Sequence, residues 1–214
     1  MKLYDYWRSS AAYRTRIALN LKGVSYDLWE VHLIKGGGAQ KTADYRAKNP
    51  QGLVPALELD NGVVLSQSLA IIEYLEETFP TPPLLPADAV GRAQVRAMAA
   101  HVACDIHPLN NLRVMNYLKG PLGHDQAAVD AWYRHWIAEG FSALETQAKS
   151  YGGSFLYGEE PTLADICLAP QMFNARRFNC DLTPYPTLVE IDGRCQRIDA
   201  FSRAHPDRQP GATA

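Results

Sequence analysis

Residues Arg8-Ser9-Ser10-Ala11-Ala12-Tyr13-Arg14-Thr15-Arg16 follow a short apolar run and carry the clearest chemical signal in the chain. Two serines stand where a strand gives way to a helix. A helix start presents unpaired backbone N–H groups and the positive end of the helix dipole. Such a place stabilises an anion, and a serine hydroxyl there can donate to it. A thiolate is one such anion. The motif holds no cysteine, so its thiol would come from a bound molecule.

The elements that must hold this motif flank it. Lys2–Trp7 and Tyr26–Val31 read as strands, with the amphipathic run Tyr13–Lys22 between them and Gly23 at its C′ position. The crossover rule makes the two strands parallel. Lys35-Gly36-Gly37-Gly38 lacks the ending of a phosphate loop and reads as a flexible rim. A short helix follows around Lys41–Lys48. In the alternating stretch from Leu53 to Leu65, Asn61-Gly62 predicts a hairpin whose two turn residues both take positive φ. Pro55 cannot donate to a ladder, so it demands an edge, a first position or a cis bond. Ser66–Glu76 opens a further helix. The order β-α-β-α-β-β-α makes a compact α/β unit.

Thr81-Pro82-Pro83-Leu84-Leu85-Pro86 is a proline-rich hinge, beyond which the pattern is helical, as in Arg92–Ile106, Val129–Lys149 and Leu163–Arg177. The expected division is an α/β domain over 1–82, a linker over 83–87 and an all-helical domain over 88–214. Within the second domain, Thr162 and Asp165 have the spacing of a reciprocal helix cap, which gives Asp165 a folding role.

Composition narrows the partners. With 214 residues and 47% hydrophobic content the chain can bury a sizeable core. A net charge of −2 weighs against nucleic acid or an anionic membrane. No leader segment and no bilayer-length apolar run is read in the sequence. Cys104, Cys167, Cys180 and Cys195 lack CxxC spacing and read as reduced core thiols of a cytoplasmic protein. His101, Cys104, Asp105 and His107 cluster in sequence, but the histidines share no helical face and Pro108 follows, so no metal is expected.

Together these features resemble the glutathione transferases: a thioredoxin-like α/β domain followed by an all-α domain. More narrowly the chain is similar to the zeta class, which includes maleylacetoacetate isomerases and is related to maleylpyruvate isomerases. The resemblance rests on Arg8-Ser9-Ser10, Arg14, Arg16-Ile17-Ala18-Leu19, Asn49-Pro50 and Val54-Pro55. It rests also on Gln67 through Glu76 and on Asp181-Leu182-Thr183-Pro184-Tyr185-Pro186. It covers nearly the whole chain. One departure is Ala11, where the class often has cysteine; Ala12 replaces a frequent serine or threonine. A mechanism needing that protein cysteine is therefore excluded, whereas one using the sulfur of glutathione is not.

The resemblance implies glutathione as cofactor, with Ser9 or Ser10 donating to its sulfur and Ala11 beside them. It implies that Val54 and Pro55 pair with the extended peptide and that Gln67 and Ser68 receive the γ-glutamyl carboxylate. Gln40, His107, Asn111, Leu112 and Arg113 would help to hold the tripeptide. Arg8, Arg113, Arg177 and, in reserve, Arg176 would bind a dicarboxylate substrate; adjacent helical residues point about 100° apart, so the last two cannot both face it. Ser9, Ser10, Arg8 and Arg177 form the implied catalytic set. The implied reaction is glutathione-dependent isomerisation of maleylacetoacetate to fumarylacetoacetate, in tyrosine and phenylalanine breakdown, by a homodimer. Maleylpyruvate is the alternative substrate. A general transferase acting on α-halo acids and a non-catalytic binding module are the competing readings; converging arginines favour the isomerase, and retention of Ser9, Val54-Pro55 and Gln67-Ser68 weighs against the module.

Overall fold

A computed structural model describes residues 1–151 and 153–212. The described chain forms two compact units, one made of Met1–Pro83 together with the segment from Ile198 onward, the other of Leu84–Arg197. The fold is an α/β unit followed by an all-helical one, as the sequence implies. The expected assignment of 88–214 to a single helical domain needs correction, because the C-terminal segment belongs to the first unit. Positions 152, 213 and 214 of that expected domain lie outside the described residues.

The first unit is built on a four-stranded sheet in the order β2-β1-β3-β4. Its strands are β1 (Lys2–Asp5), β2 (Asp27–Glu30), β3 (Ala56–Glu58) and β4 (Val64–Ser66). The β1–β2 pair is parallel, with Leu3 opposite Leu28, and the β1–β3 and β3–β4 pairs are antiparallel. Helix α1 (Ser10–Leu21) makes the parallel crossover, α2 (Ala43–Lys48) precedes β3, and α3 (Ser68–Thr78) follows β4. Leu3, Ile17, Leu19, Leu57, Ile71, Ile72 and Leu75 fill the core between sheet and helices. The hairpin turn differs from the expected two-residue form. Leu59 N donates to Val63 O and Gly62 N to Leu59 O, and Gly62 alone of the Asn61-Gly62 pair takes positive φ. This is a three-residue loop closed by a glycine bulge, in which Asn61 instead accepts from Val63 N through its side chain.

Past the second unit the chain returns to this body as α9 (Asp199–Ala204), which packs on α1. Phe201 and Ala204 are buried there. The helical pattern of this segment reveals an apolar face but not what covers it, which is why the sequence assigned it to its neighbours.

The second unit contains α4 (Ala89–Ala100), α5 (Leu112–Lys119), α6 (Gln126–Tyr151), α7 (Leu163–Arg177) and α8 (Pro186–Arg197). The single helix expected over 92–106 is instead α4 continued by a π-helical turn, His101–Ile106, and a short 3-10 turn, His107–Asn110. Pro108 has no N–H to continue an α-helical ladder. Ile106 also presses on Gly140 of α6, where an added Cβ would lie 2.2 Å from its Cδ1.

At the start of α7 the expected cap is complete. Asp165 accepts from Thr162 N at 2.8 Å and from Thr162 Oγ1 at 2.9 Å, while Thr162 Oγ1 accepts from Ala164 N. The second carboxylate oxygen accepts from Leu156 N at 2.9 Å. The cysteines stand outside any disulfide, but Cys104 is exposed and Cys180 half-buried, so only Cys167 and Cys195 are core thiols.

Candidate active site

The serine motif sits where expected. Ser9 is the N-cap of α1 in an extended conformation, and its Oγ accepts from Ala12 N at 3.2 Å. Accepting that bond leaves the hydroxyl proton of Ser9 to donate elsewhere. Ser9 is half-buried, whereas Ser10 is 7% exposed in the first helical turn. Ala11 and Ala12 complete that turn, which holds no acidic residue. The positive helix end is thus not neutralised by its own side chains. Arg8 precedes it, with its guanidinium 5.1 Å from the centre of the Trp7 ring.

A second helix start lies in the same unit. Ser68, 6% exposed, begins α3, and Arg14 of α1 is 1% exposed and reaches the Ser68 hydroxyl at 3.4 Å. Arg14 thereby ties the second turn of α1 to the start of α3. Gln67, just before α3, takes φ 69° and makes no cap bond through its side chain. Its amide instead donates to Gln51 Oε1 at 2.8 Å.

Val54-Pro55 is a cis peptide directly ahead of β3. The preceding carbonyl, of Leu53, accepts from Tyr45 Oη at 2.6 Å and from Asn49 Nδ2 at 2.8 Å. Burial, ahead of any other influence, pushes the Tyr45 hydroxyl up to about 12, so it remains a donor at neutral pH. Gln40 is held by a bond from Nε2 to Leu33 O at 3.1 Å, and its Oε1 is buried without a hydrogen-bond partner among the described residues. The glycine run ahead of it is not merely a rim. It contributes to a short 3-10 turn, Lys35–Gly37, and leads through Gly38 into a second, Ala39–Lys41, which holds Gln40. A Cβ on Gly38 would come within 2.6 Å of the Gln40 amide.

The remaining candidates belong to the helical unit. His107 opens the 3-10 turn after the π-helical segment. Asn111 caps α5, accepting from Arg113 N at 2.9 Å, and Leu112 and Arg113 are exposed in its first turn. On α7, Arg176 forms an ion pair with the buried Asp192 of α8 at 2.5 Å, which commits its guanidinium to helix packing. Arg177 points elsewhere, with its guanidinium 4.8 Å from the centre of the Phe178 ring. His101 Nε2 lies 3.0 Å from Gly140 O and so serves the packing of α6.

Sequence reasoning gave no site role to Gln51, Tyr45 or Asn49. Asn49-Pro50 was visible as a motif, but the shared acceptor at Leu53 O is a backbone group with no sequence signature. Arg14 and Arg16 read as polar members of an amphipathic helix, yet Arg16 has no exposed side-chain surface.

Residues 8–78 match the glutathione S-transferase N-terminal domain, and residues 126–203 match the glutathione S-transferase C-terminal domain. The chain is 53% identical to the maleylpyruvate isomerase of a Ralstonia species, over 98% of this chain and 99% of that protein. It is 51% identical to the maleylacetoacetate isomerase of Rhizobium meliloti, over 96% of each. It also superimposes, with a TM-score of 0.95 and 42% identity over the whole of both chains, on the crystal structure of a maleylacetoacetate isomerase from Methylobacterium extorquens AM1 with bound malonate and glutathione.

Proposed function

The chain belongs to the glutathione S-transferase family, and from that premise we propose that it is a glutathione-dependent cis–trans isomerase converting maleylacetoacetate to fumarylacetoacetate. The observation that carries the reading is the start of α1: a serine N-cap that retains its donor proton, in a first turn with no acidic residue.

The residues of the first unit fit glutathione. The orphaned, buried Oε1 of Gln40 calls for a donor such as the tripeptide's amine or amide N–H. Ser68 at a helix start, backed by the buried Arg14, suits a carboxylate. Gln67, braced by Gln51, stands beside it. Val54 offers backbone just ahead of β3 and outside its ladder, where an extended peptide can pair.

When bound, glutathione would supply a thiolate whose addition beside a carbonyl turns the cis double bond into a single bond and leaves an enolate; after rotation the enolate re-forms the double bond as trans by expelling the thiolate. The chain's task is to hold that sulfur ionised and to bind the substrate's negative charge. Ser9 donates to the sulfur, and the α1 dipole adds to this, lowering the thiol pKa from about 8.5 toward neutrality. Ser9 is favoured over Ser10 because it is the more exposed of the two and keeps its donor. Arg8 and Arg177 bind the carboxylates and oppose the charge that develops on the carbonyl. Arg177 is favoured over Arg176, whose charge is met by Asp192. His107, Asn111, Leu112 and Arg113 complete the assigned glutathione and substrate contacts.

A second reading has its own support. The Ralstonia relative at 53% identity is a maleylpyruvate isomerase, and the two substrates differ by a single methylene. Purified protein assayed with maleylacetoacetate and with maleylpyruvate, each with and without glutathione, tests both. Rapid glutathione-dependent formation of the fumaryl product is expected, and the larger kcat/KM identifies the substrate. Failure to isomerise either, with glutathione demonstrably bound, would refute the reading and turn attention to conjugation and to α-halo acids.

The same reading extends to a homodimer in the cytoplasm. The dimer rests on the resemblance, and light scattering measures it directly. Cysteines outside any disulfide suit a reducing compartment. No helix among the described residues is long and apolar enough to cross a membrane.

A further inference from the structure

Arg16 lies two turns below Ser9 on α1 and is fully buried. Its guanidinium spends its donors on three elements. Nη1 donates to Asp5 Oδ1 at the end of β1 at 2.6 Å, Nη2 to Trp7 O at 3.0 Å, and Nε to Ala204 O of α9 at 3.0 Å. Trp7 is the second residue of a turn closed by Ser9 N donating to Tyr6 O at 2.8 Å. This turn delivers the chain from β1 to the N-cap, so the plane of its Trp7 peptide helps to set where Ser9 points.

We propose that Arg16 is the positioning residue of the thiolate site, pinning the Tyr6–Ser9 turn to Asp5 and to the C-terminal helix so that the Ser9 hydroxyl is held in its donating orientation. The proposal deepens the function proposed above and rests on its assignment of Ser9. The fork geometry explains why arginine stands here. A lysine ammonium is a point donor and cannot present three fixed, coplanar directions to β1, the turn and α9. The charge is met by Asp5, which is 5% exposed. Each of the three guanidinium nitrogens has a partner, which offsets the cost of burying the two charges rather than adding net stability.

The C-terminal segment then takes part in the site without touching its ligand. Its contacts with the turn are several. Two of them reach it through α1, where Ala204 O accepts from Arg16 and the His205 ring packs edge-on to Tyr13 at 5.9 Å between centres; the third is direct, the backbone at Gly211 lying in van der Waals range of the turn, with an added Cβ 3.6 Å from Trp7 Cδ1. The charged and titratable groups around the pair are Asp5 on β1, Glu30 on β2, Tyr26 before it, and Arg203 and His205 at the end of α9.

The test uses the whole protein with two readouts: the thiolate absorbance of bound glutathione as a function of pH, and hydrogen exchange of the Ser9 amide in the ligand-free protein, with the Gly62 amide as control. The main variant is Asp5→Asn combined with Arg16→Gln, which removes both buried charges together. Arg16→Lys, which keeps the ion pair, serves where the double variant does not fold. Ser9→Ala is measured alongside. The expected result is about tenfold less thiolate at neutral pH in the Arg16 variants, faster exchange at Ser9 with Gly62 unchanged, and little further loss when Ser9→Ala is added. If Ser9→Ala lowers the thiolate fraction but a folded Arg16 variant changes neither readout, the positioning role is overturned and the Ser9 assignment stands. If Ser9→Ala leaves the thiolate unchanged, the Ser9 assignment falls. Ser9 exchange then decides whether Arg16 holds the turn: faster exchange upholds that part, and unchanged protection overturns it.

Discussion

The starts of α1 and α7 solve one electrostatic problem in opposite ways. Both present orphan N–H groups and a positive helix end, and both are capped by a hydroxyl. At α7 the chain supplies its own anion. Asp165, with no exposed surface, closes the box with Thr162 and also takes Leu156 N. At α1 no acid occupies the first turn, and alanines stand where a neutralising side chain could be. The helix start that serves folding is closed upon itself, whereas the one for which we propose chemistry carries no acid of its own. Neither cap alone reveals this; the residue two or three places later does.

The largest expected effect breaks the open end. Ser9→Ala should lower kcat/KM by about 10²–10³-fold, the usual loss when one donor to a developing or resident anion is removed. Stability should fall by only about 1 kcal/mol, the value of a cap. Steady-state kinetics and thermal melts together check the pair, and a large loss of stability with unchanged kinetics would place Ser9 with Thr162 as a purely structural cap.

Breaking the closed end should give the reverse pattern. Asp165→Ala leaves the buried N–H groups of Leu156 and Thr162 unpaired and should destabilise the fold by about 3 kcal/mol, with kcat of the remaining folded protein nearly unchanged. The carboxyl carries a pH signature as well. Burial outweighs its hydrogen bonds and raises it from the ordinary 3.8 to about 6. The folded chain therefore binds more protons than the unfolded chain between those values, so this group's contribution declines as pH rises through that window. Denaturant titrations at a series of pH values should show this slope in the parent protein and its absence in Asp165→Asn.

The smallest effect sharpens the comparison by making the open end resemble the closed one. Ala11→Asp adds an acid to the first turn of α1, which should stabilise the helix by about 0.5 kcal/mol. The same charge should disfavour a neighbouring thiolate and reduce turnover severalfold. A gain in melting temperature coupled to a loss of kcat/KM is the expected outcome.

Much of this contrast was legible in the sequence. Thr162 and Asp165 have capping-box spacing, and Ser9 follows an apolar strand pattern. The element order, the parallel first pair of strands and the helix over Leu163–Arg177 follow from periodicity and punctuation. What escaped depends on groups without a one-letter signature. The Leu53 and Trp7 carbonyls organise the cis-proline approach and the serine turn, yet any residue supplies a carbonyl. Arg16 stands in the sequence only as part of a family motif, because its partners lie on three separate elements. The return of α9 to the first unit is a choice among surfaces that an amphipathic pattern does not specify.

The most direct test of the central claim is the pH titration of the thiol of glutathione bound to the unaltered protein, followed by thiolate absorbance. Ionisation near neutrality is expected, well below the free thiol at about 8.5, with the shift lost in Ser9→Ala. A bound thiol that titrates like the free one would show that the start of α1 is not the anion site.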